Sequence, residues 1–554
     1  MYSAKENINI LTSLLRSYGV RHIVACPGSR NAPIVHNFNE CPDFICHSVT
    51  DERSAGFIAL GLTSALSVDD HAEPVAVCVT SGSALLNTLP AVTEATYQHR
   101  GIIVISADRP DAWINQLDGQ TLPQCGALGQ FVGKSVSLPE PSDETQRWHC
   151  LRLVCEAMVT WSAPSHPSVH INVPVTEPLF EFTVSELPDI RKVSLEYNAG
   201  TVAKAFVAAQ RPMLVIGQMD RLAAVSDYLR KIKDNVVVLA EQLSVDFALP
   251  VDQLICAMGK DAQKYLPDYV IYIGGHTVSK RLRQFLRLME DEANVCMVNV
   301  EGELEDVTMH ATSVLQCQPM EVLEAIWGNI SLLKSSEYYG LWGRLKSEIC
   351  ASHKSFDPEY SQLLAVKHFE KGITEKYGNA NERPQIFYAN SMSVRLAAIY
   401  ADHYVHCNRG VNGIEGSLSV AAGASMADSR RMTFCIIGDL SFFYDQNALW
   451  NTGLGGNFRI LLLNNHCGSI FKNLSGLEHS PSRDEYVSAQ HGVSAEGICS
   501  QNSVIYHRVT DERSLATEIL WLLDASPSDR PRLLEVVTDP DKDIEVYKEY
   551  YHLL

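Results

Sequence analysis

The chain has 554 residues, enough for three or four domains, each large enough for a sizeable core. A hydrophobic content of 46% with 20% charged residues describes an ordinary soluble globular protein, and the net charge of −20 argues against nucleic acid or an anionic membrane as a partner. Small anions stay open as ligands, because exposed charge is screened beyond about 8 Å at physiological salt and local Arg and Lys clusters then decide.

The fifteen cysteines show no metal-ligand spacing, and several (Cys78, Cys296, Cys435) sit in apolar runs. An odd count without a pairing framework reads as a reduced, cytoplasmic protein. At the N-terminus Ile8, Leu11, Leu15 and Tyr18 recur at helical spacing and Gly19 stops the pattern, so these residues read as a helix rather than a signal peptide. No apolar run approaches the length of a membrane span.

From residue 5 to about 190, strand and helix patterns alternate. Strands are expected at His22–Cys26, Phe44–Val49, Val75–Val79 and Ile102–Ser106, with helices at Asp51–Leu66 and Ala84–Tyr97. Residues 188–198 read as a connector. A second series follows, with strands at Met213–Gly217, Val236–Ala240, Tyr269–Gly274 and Val295–Val300. Residues 341–369 are largely polar and helical. A third series has strands at Phe387–Asn390, Val405–Cys407, Phe434–Ile437 and Ile460–Leu463, and a helix at Leu418–Met426. Such alternation gives an α/β fold of three doubly wound parallel-sheet domains, covering residues 1–190, 191–340 and 341–554. Ligands of these sheets gather at the carboxyl ends of the strands. The residues there are Cys26-Pro-Gly-Ser-Arg30, Asp51-Glu-Arg53, Thr80-Ser-Gly-Ser83 and Ala107-Asp-Arg-Pro110.

The most telling stretch runs from Cys435-Ile-Ile-Gly-Asp-Leu-Ser441 to Leu463-Asn-Asn-His-Cys-Gly-Ser-Ile-Phe471. Asp439 and Asn465 each follow an apolar strand, and one helical crossover separates them. Neighbouring parallel strands would bring both to one sheet edge. A hard cation such as Mg²⁺ takes oxygen ligands and commonly shares phosphate oxygens. One carboxylate, one amide oxygen and a nearby backbone carbonyl would hold it against a diphosphate, which Gly438 and the following helix start could approach closely. Either half alone is an ordinary strand end or turn; the spacing is what joins them.

Basic residues also cluster at predicted sheet edges: Arg30, Arg109, Lys280, Arg281, Arg395 and Arg409. Each alone reads as a solvated charge. Their place after Pro-Gly-Ser, Ala-Asp and Gly-Gly and within Cys-Asn-Arg-Gly marks ligand-facing loops, and several guanidiniums together suit a substrate with more than one carboxylate.

The paired Gly-Asp and Asn-Asn segments resemble the metal-diphosphate signature of the thiamine-diphosphate-dependent enzyme family. Leu440 after the Asp departs from its commonest form, but matches the form of the menaquinone-pathway branch. That branch is also resembled by Cys26-Pro-Gly-Ser-Arg30, Asp51-Glu-Arg53, Thr80-Ser-Gly-Ser83, Ala107-Asp-Arg-Pro110, Lys280-Arg281, Asn390-Ser391 with Arg395, Asn408-Arg-Gly410 with Ile414, and Gly438-Asp-Leu-Ser441 with Tyr444-Asp-Gln-Asn447. The resemblance spans essentially the whole chain. Two departures stand out. The branch often has Asn-Gln where this chain has Asp118-Gly-Gln-Thr121, so Gln120 carries over and the Asn does not. After Asn464-Asn465 it tends to have Asn-Gly-Gly, where this chain has His466-Cys467-Gly468, a sequence less suited to a tight turn.

The resemblance implies thiamine diphosphate with Mg²⁺ (or Mn²⁺) as cofactors, decarboxylation of 2-oxoglutarate and addition of the succinyl unit to isochorismate, in a homodimer or homotetramer with active sites between subunits. Taken alone, Glu52 is an acid in the first turn of a helix capped by Asp51. In the family such a Glu activates the cofactor by bonding to its pyrimidine ring. Ile414 would hold the cofactor bent. Asp439, Asn465 and the Cys467 carbonyl would bind the metal, and Asn390, Ser391, Gly438, Leu440, Ser441, Gly468 and Ile470 would line the cofactor. Ser29, Arg30, Arg109, Gln120, Lys280, Arg281, Ser391, Arg395 and Arg409 would meet the substrates, with Phe471 and Leu474 excluding water. The rival readings are another thiamine-diphosphate-dependent 2-oxoacid carboligase or decarboxylase, and a non-catalytic α/β protein that binds a diphosphate.

Overall fold

A computed structural model describes residues 1–67, 72–247, 249–334, 336–378, 383–472 and 474–552. The chain falls into two compact units, Met1–Val202 with Asn294–Val322, and Ala203–Ala293 with Leu323–Leu554. Among the described residues, the strand pairings within each unit are parallel, as alternating strands and helices require. Among the described residues no helix is long and apolar enough to cross a membrane, and no two of the fifteen cysteines are joined.

In the first unit, β1 (His22–Ala25), β2 (Ile45–Ser48), β3 (Val75–Val79), β4 (Ile103–Asp108), β5 (Lys134–Ser137) and β6 (Val169–Pro174) form a sheet of order β2-β1-β3-β4-β6-β5. Ala55, Ala59 and Leu60 of the helix Glu52–Leu66 join Val24, Val75, Val77 and Val104 in one buried cluster. The helix expected at 84–97 is two, Ser83–Asn87 and Leu89–Tyr97. Pro90 sits in the first turn of the second, where its missing N–H costs no helical bond. β5 and β6 escape the apolar pattern because they carry polar interior residues. Asn172 of β6 bonds to Asp108, Ser106 and Gln124, all of them buried.

Six further strands come from the middle of the chain: β7 (Ser194–Glu196), β8 (Pro212–Ile216), β9 (Val237–Ala240), β10 (Tyr269–Ile273), β11 (Asn294–Val298) and β12 (Ser313–Leu315). In the first unit β11 pairs with β12 and β12 with β7. In the second β10 pairs with β8 and β8 with β9.

The C-terminal sheet is built of β13 (Gln385–Tyr388), β14 (Thr433–Gly438), β15 (Phe458–Asn464), β16 (Ile505–Val509) and β17 (Arg532–Val537), in the order β13-β14-β15-β17-β16. Its central strands β14 and β15 are largely apolar because both faces are covered. Phe434, Ile436, Leu461 and Leu463 face one cluster with Phe369 and Leu522. The alternate residues Cys435, Ile437, Ile460 and Leu462 face another with Leu418 and Phe442. The strand expected at 405–407 is reduced to a single bridge between Phe387 and His406. β17 was not anticipated, because Glu535 interrupts its apolar run. That buried carboxylate accepts hydrogen bonds from Asn464, Ser494 and Tyr506.

A buried polar triad also ties the helix Gln362–Tyr377 to this unit. Glu370 accepts from Tyr388 Oη at 2.5 Å and pairs with His403 Nε2 at 2.7 Å. Burial alone would lower the His403 pKa, but the Glu370 carboxylate overrides it and lifts it to about 9. Because the folded value lies above the ordinary 6.5, this contribution to stability is full below pH 6.5 and is lost as pH rises through about 9. Glu370→Gln should therefore destabilise the protein by about 3–5 kcal/mol near pH 6, the cost of breaking a buried pair. It should also flatten the fall in stability between pH 6.5 and 9 that denaturant titration reads in the parent protein.

Candidate active site

Strands β14 and β15 are hydrogen-bonded neighbours, with Gly438 opposite Leu463. Asp439 and Asn465 therefore emerge side by side at their carboxyl ends, as the spacing of the two motifs implied. Both are buried. Asp439 Oδ1 accepts the N–H of Leu440 at 2.7 Å, and Oδ2 accepts the N–H of Cys467 at 3.1 Å. Asn465 Nδ2 donates to Asp543 Oδ2 at 2.8 Å, while the Cys467 thiol donates to its Oδ1 at 3.9 Å. Cys467 thus touches both residues, and its carbonyl accepts from Ser469 N–H at 3.0 Å. Burial pushes the Cys467 thiol up to about 12, and a hard cation takes oxygen ligands in preference to sulfur.

The turn after β15 is made despite its sequence. His466 takes the left-handed position at φ 63°, and its N–H bonds to Asn464 Oδ1 at 2.9 Å. Asn464 also donates to Glu535 and to Val493 O, so the two asparagines divide the work: the first pins the turn and the second faces the site. At Gly468 a Cβ would sit 3.0 Å from the Phe471 ring and 3.4 Å from Leu440. Leu440 and the water-excluding candidate Phe471 therefore close on the same glycine. His491 lies behind Asp439, its Nε2 3.4 Å from Oδ2 but outside hydrogen-bond geometry. Val493 N–H donates to His491 Nδ1, so the proton of the neutral ring is on Nε2, facing Asp439.

Ser391 opens the helix Met392–Tyr400 at φ 71°, ψ −127°, a conformation rare for any residue but glycine and a mark of functional strain. Its carbonyl accepts from Arg395 Nη1 at 2.6 Å. Asn390 is fully occupied: its amide donates to the Asn408 and Gly413 carbonyls and its oxygen accepts from Arg409. It staples the loop that carries the half-buried Ile414. Arg409 is itself buried and donates to Thr277 O at 3.2 Å. Burial lowers its pKa.

A cavity of about 360 Å³ gathers Lys280, Arg281, Arg395, Ile470 and Leu474, residues that lie far apart in sequence. Lys280 and Arg281 start the helix Lys280–Leu286, capped by Ser279. Arg281 pairs with Asp252 and stacks over Tyr551 at 4.7 Å. Asp543 and Tyr547 of the C-terminal helix Pro540–His552 complete the wall. The sequence reading passed over this helix, whose alternating acids and tyrosines carry no motif.

The remaining candidates belong to the first unit. Glu52 begins the helix Glu52–Leu66, behind the Asp51 cap, and is half-buried; Asn87 Nδ2 donates to it at 3.3 Å. Ser29 and Gln120 are exposed. Gly82, at φ 78°, lets the Thr80–Ser83 loop press on the Gln120 backbone, where a Cβ would come within 3.1 Å. Arg30 and Arg109 line one open hollow. Arg30 donates to Val175 O and Glu177, and Arg109 pairs with Asp118 at 3.2 Å. Gly119, which stands before Gln120 in place of the branch's Asn, has no side chain to offer, and its carbonyl accepts from Arg109 Nε at 3.0 Å.

The Asp439 carboxylate, the Asn465 amide oxygen and the Cys467 carbonyl make an all-oxygen set of the kind a hard divalent cation takes. Beside them Gly438 is extended, and a Cβ there would meet nothing closer than Ser393 Oγ at 3.9 Å. Its missing side chain leaves room for a ligand rather than serving the backbone. These residues fit Mg²⁺ and a diphosphate.

Comparison with known proteins agrees with this geometry. Residues 8–127 match the family model described as thiamine pyrophosphate enzyme, N-terminal TPP binding domain, and residues 389–536 match its C-terminal TPP binding domain counterpart. The first span contains Arg30, Glu52, Arg109 and Gln120, and the second runs from Asn390 past Leu474. Lys280, Arg281 and Asp543 lie outside both. Proteins named 2-succinyl-5-enolpyruvyl-6-hydroxy-3-cyclohexene-1-carboxylate synthase from Bacteroides fragilis and Bacteroides thetaiotaomicron are 40% and 39% identical to this chain, over 100% of both chains in each case. One of the same name from Desulfotalea psychrophila is 32% identical over 97% of this chain and 99% of its own. On that full-length identity, the chain belongs to the 2-succinyl-5-enolpyruvyl-6-hydroxy-3-cyclohexene-1-carboxylate synthase family of thiamine pyrophosphate enzymes.

Proposed function

We propose that the chain decarboxylates 2-oxoglutarate and adds the resulting succinyl unit to isochorismate, in menaquinone biosynthesis, with thiamine diphosphate and Mg²⁺ (or Mn²⁺) as cofactors. The observation that carries the reading is the side-by-side emergence of Asp439 and Asn465 from β14 and β15. Thiamine diphosphate, when bound, supplies the electron sink for loss of CO₂ and the nucleophilic carbon for ligation.

The residues divide the remaining tasks. Asp439, Asn465 and the Cys467 carbonyl hold the cation, and Gly438, Leu440, Ser441, Gly468 and Ile470 shape the space around the diphosphate. Ile414 would hold the cofactor bent, and Asn390 holds the loop that carries it. Glu52 would bond the pyrimidine ring nitrogen of the bound cofactor and hold a proton there. Ser391 and Arg395 orient the 2-oxoacid. Ser29, Arg30, Arg109, Gln120, Lys280, Arg281 and Arg409 meet the carboxylates of donor and acceptor. Phe471 and Leu474 exclude water, favouring ligation over release of an aldehyde. We place the enzyme in the cytoplasm, as a homodimer or homotetramer whose active sites form between subunits, with three domains divided near residues 190 and 340.

The direct test is CO₂ release from 2-oxoglutarate that needs both Mg²⁺ and thiamine diphosphate, with ligated product on adding isochorismate. Faster turnover of pyruvate would transfer the chain to another carboligase activity, and no turnover with cofactor bound would leave a diphosphate-binding protein. Glu52→Gln should keep the fold and bind cofactor, yet lose about 10²–10⁴-fold in kcat, the scale of a lost proton-transfer group. Mixed with Asp439→Asn chains it should regain activity that neither has alone, if the site is shared between subunits. Arg395→Ala should lose about 2–5 kcal/mol of transition-state stabilisation, read from kcat/KM for 2-oxoglutarate. A loss under about threefold would place Arg395 outside the pocket.

A further inference from the structure

We infer that Asp543 is a positioning residue that fixes which end of the Asn465 side chain faces the cation. The inference rests on the reading of Asp439 and Asn465 as cation ligands. An amide can bind a hard cation only through its oxygen, yet the NH₂ end has nearly the same shape, and nothing in Leu463-Asn-Asn-His466 selects between them.

Asp543 makes the selection. Its Oδ2 lies 2.8 Å from Asn465 Nδ2 and accepts Thr538 Oγ1 at 2.8 Å, while Oδ1 accepts the N–H of Gln362 at 2.8 Å. That N–H belongs to the first residue of the helix Gln362–Tyr377 and has no intrahelical partner. The carboxylate is thus buried among donors and acts as an acceptor on both oxygens. Reversing the Asn465 amide would set oxygen against oxygen. The NH₂ end must face Asp543, so Oδ1 is turned to the other side, where among the described residues the Cys467 thiol at 3.9 Å is its one hydrogen-bond donor. Asp543 comes from the C-terminal helix, beyond the segment that matches the family model, and also lines the cavity holding Arg395.

The test is calorimetric binding of thiamine diphosphate to the full-length protein, titrated against Mg²⁺. Asp543→Asn should raise the Mg²⁺ concentration for half-saturation by about 10–100-fold, as loss of a ligand-orienting partner does elsewhere. Thr538→Val removes another bond to the same oxygen without touching the amide and should shift it under about threefold, the scatter expected of a single outer contact. The double variant Asn465→Asp with Asp543→Asn restores a donor–acceptor pair and leaves one oxygen toward the cation. It should return the midpoint close to the parent value, and it decides the matter if the single variant fails to fold. An unchanged midpoint in Asp543→Asn, or a double variant no better than the single one, overturns the inference. If the parent protein takes up the cofactor without needing Mg²⁺, the clamp reading itself falls.

Discussion

The chemistry of the C-terminal sheet depends on the register between β14 and β15. Gly438 lies opposite Leu463, and a slip of one residue would turn every side chain of one strand to the opposite face. Such a slip is blocked because alternate residues of both strands are committed to different buried clusters. The packing that makes these strands unbroken apolar runs therefore also aligns Asp439 with Asn465. The alignment of the two candidate ligands follows from the core rather than from the loop that displays them.

Around this frame the protein buries several carboxylates and surrounds each with donors. Glu535 pins Asn464 and the 494–495 segment; Glu370 binds Tyr388 and His403; Glu241 accepts the N–H groups of Val278 and Ser279 at the start of the basic helix. A buried carboxylate without partners would be strongly destabilising, so each of these groups forces its neighbours into one arrangement. The cavity walls inherit that rigidity. Lys280 and Arg281 sit on a helix whose entry Glu241 holds, and Asn390 and Arg409 lock the loop bearing Ile414 to the segment at Thr277.

Much of this could be read from the residues. The apolar runs of β1, β3, β14 and β15 and the Gly or polar residues that end them gave strand ends to within a residue or two, and the strand ends located the candidate ligands. What escaped had physical reasons. Glu535 breaks the apolar run of β17, and His170 and Asn172 do the same in β6; such residues are tolerated only because distant partners satisfy them. His403 and His406 draw the segment after Asp402 into side-chain contacts instead of a full strand. The C-terminal helix offers no motif at all, since Asp543 and Tyr547 matter through what they meet in space. His466 shows the converse: a sequence poorly suited to a tight turn makes one, because Asn464 and Glu535 hold its ends.

The two compact units are also interleaved along the polypeptide, which passes from the first to the second after Val202, returns at Asn294 and leaves again after Val322. During synthesis the first unit lacks β11 and β12 until some ninety further residues have emerged, so it cannot finish folding before part of the second has been made. No single cut in the gene would yield either unit by itself, because a fragment holding all of one also carries part of the other.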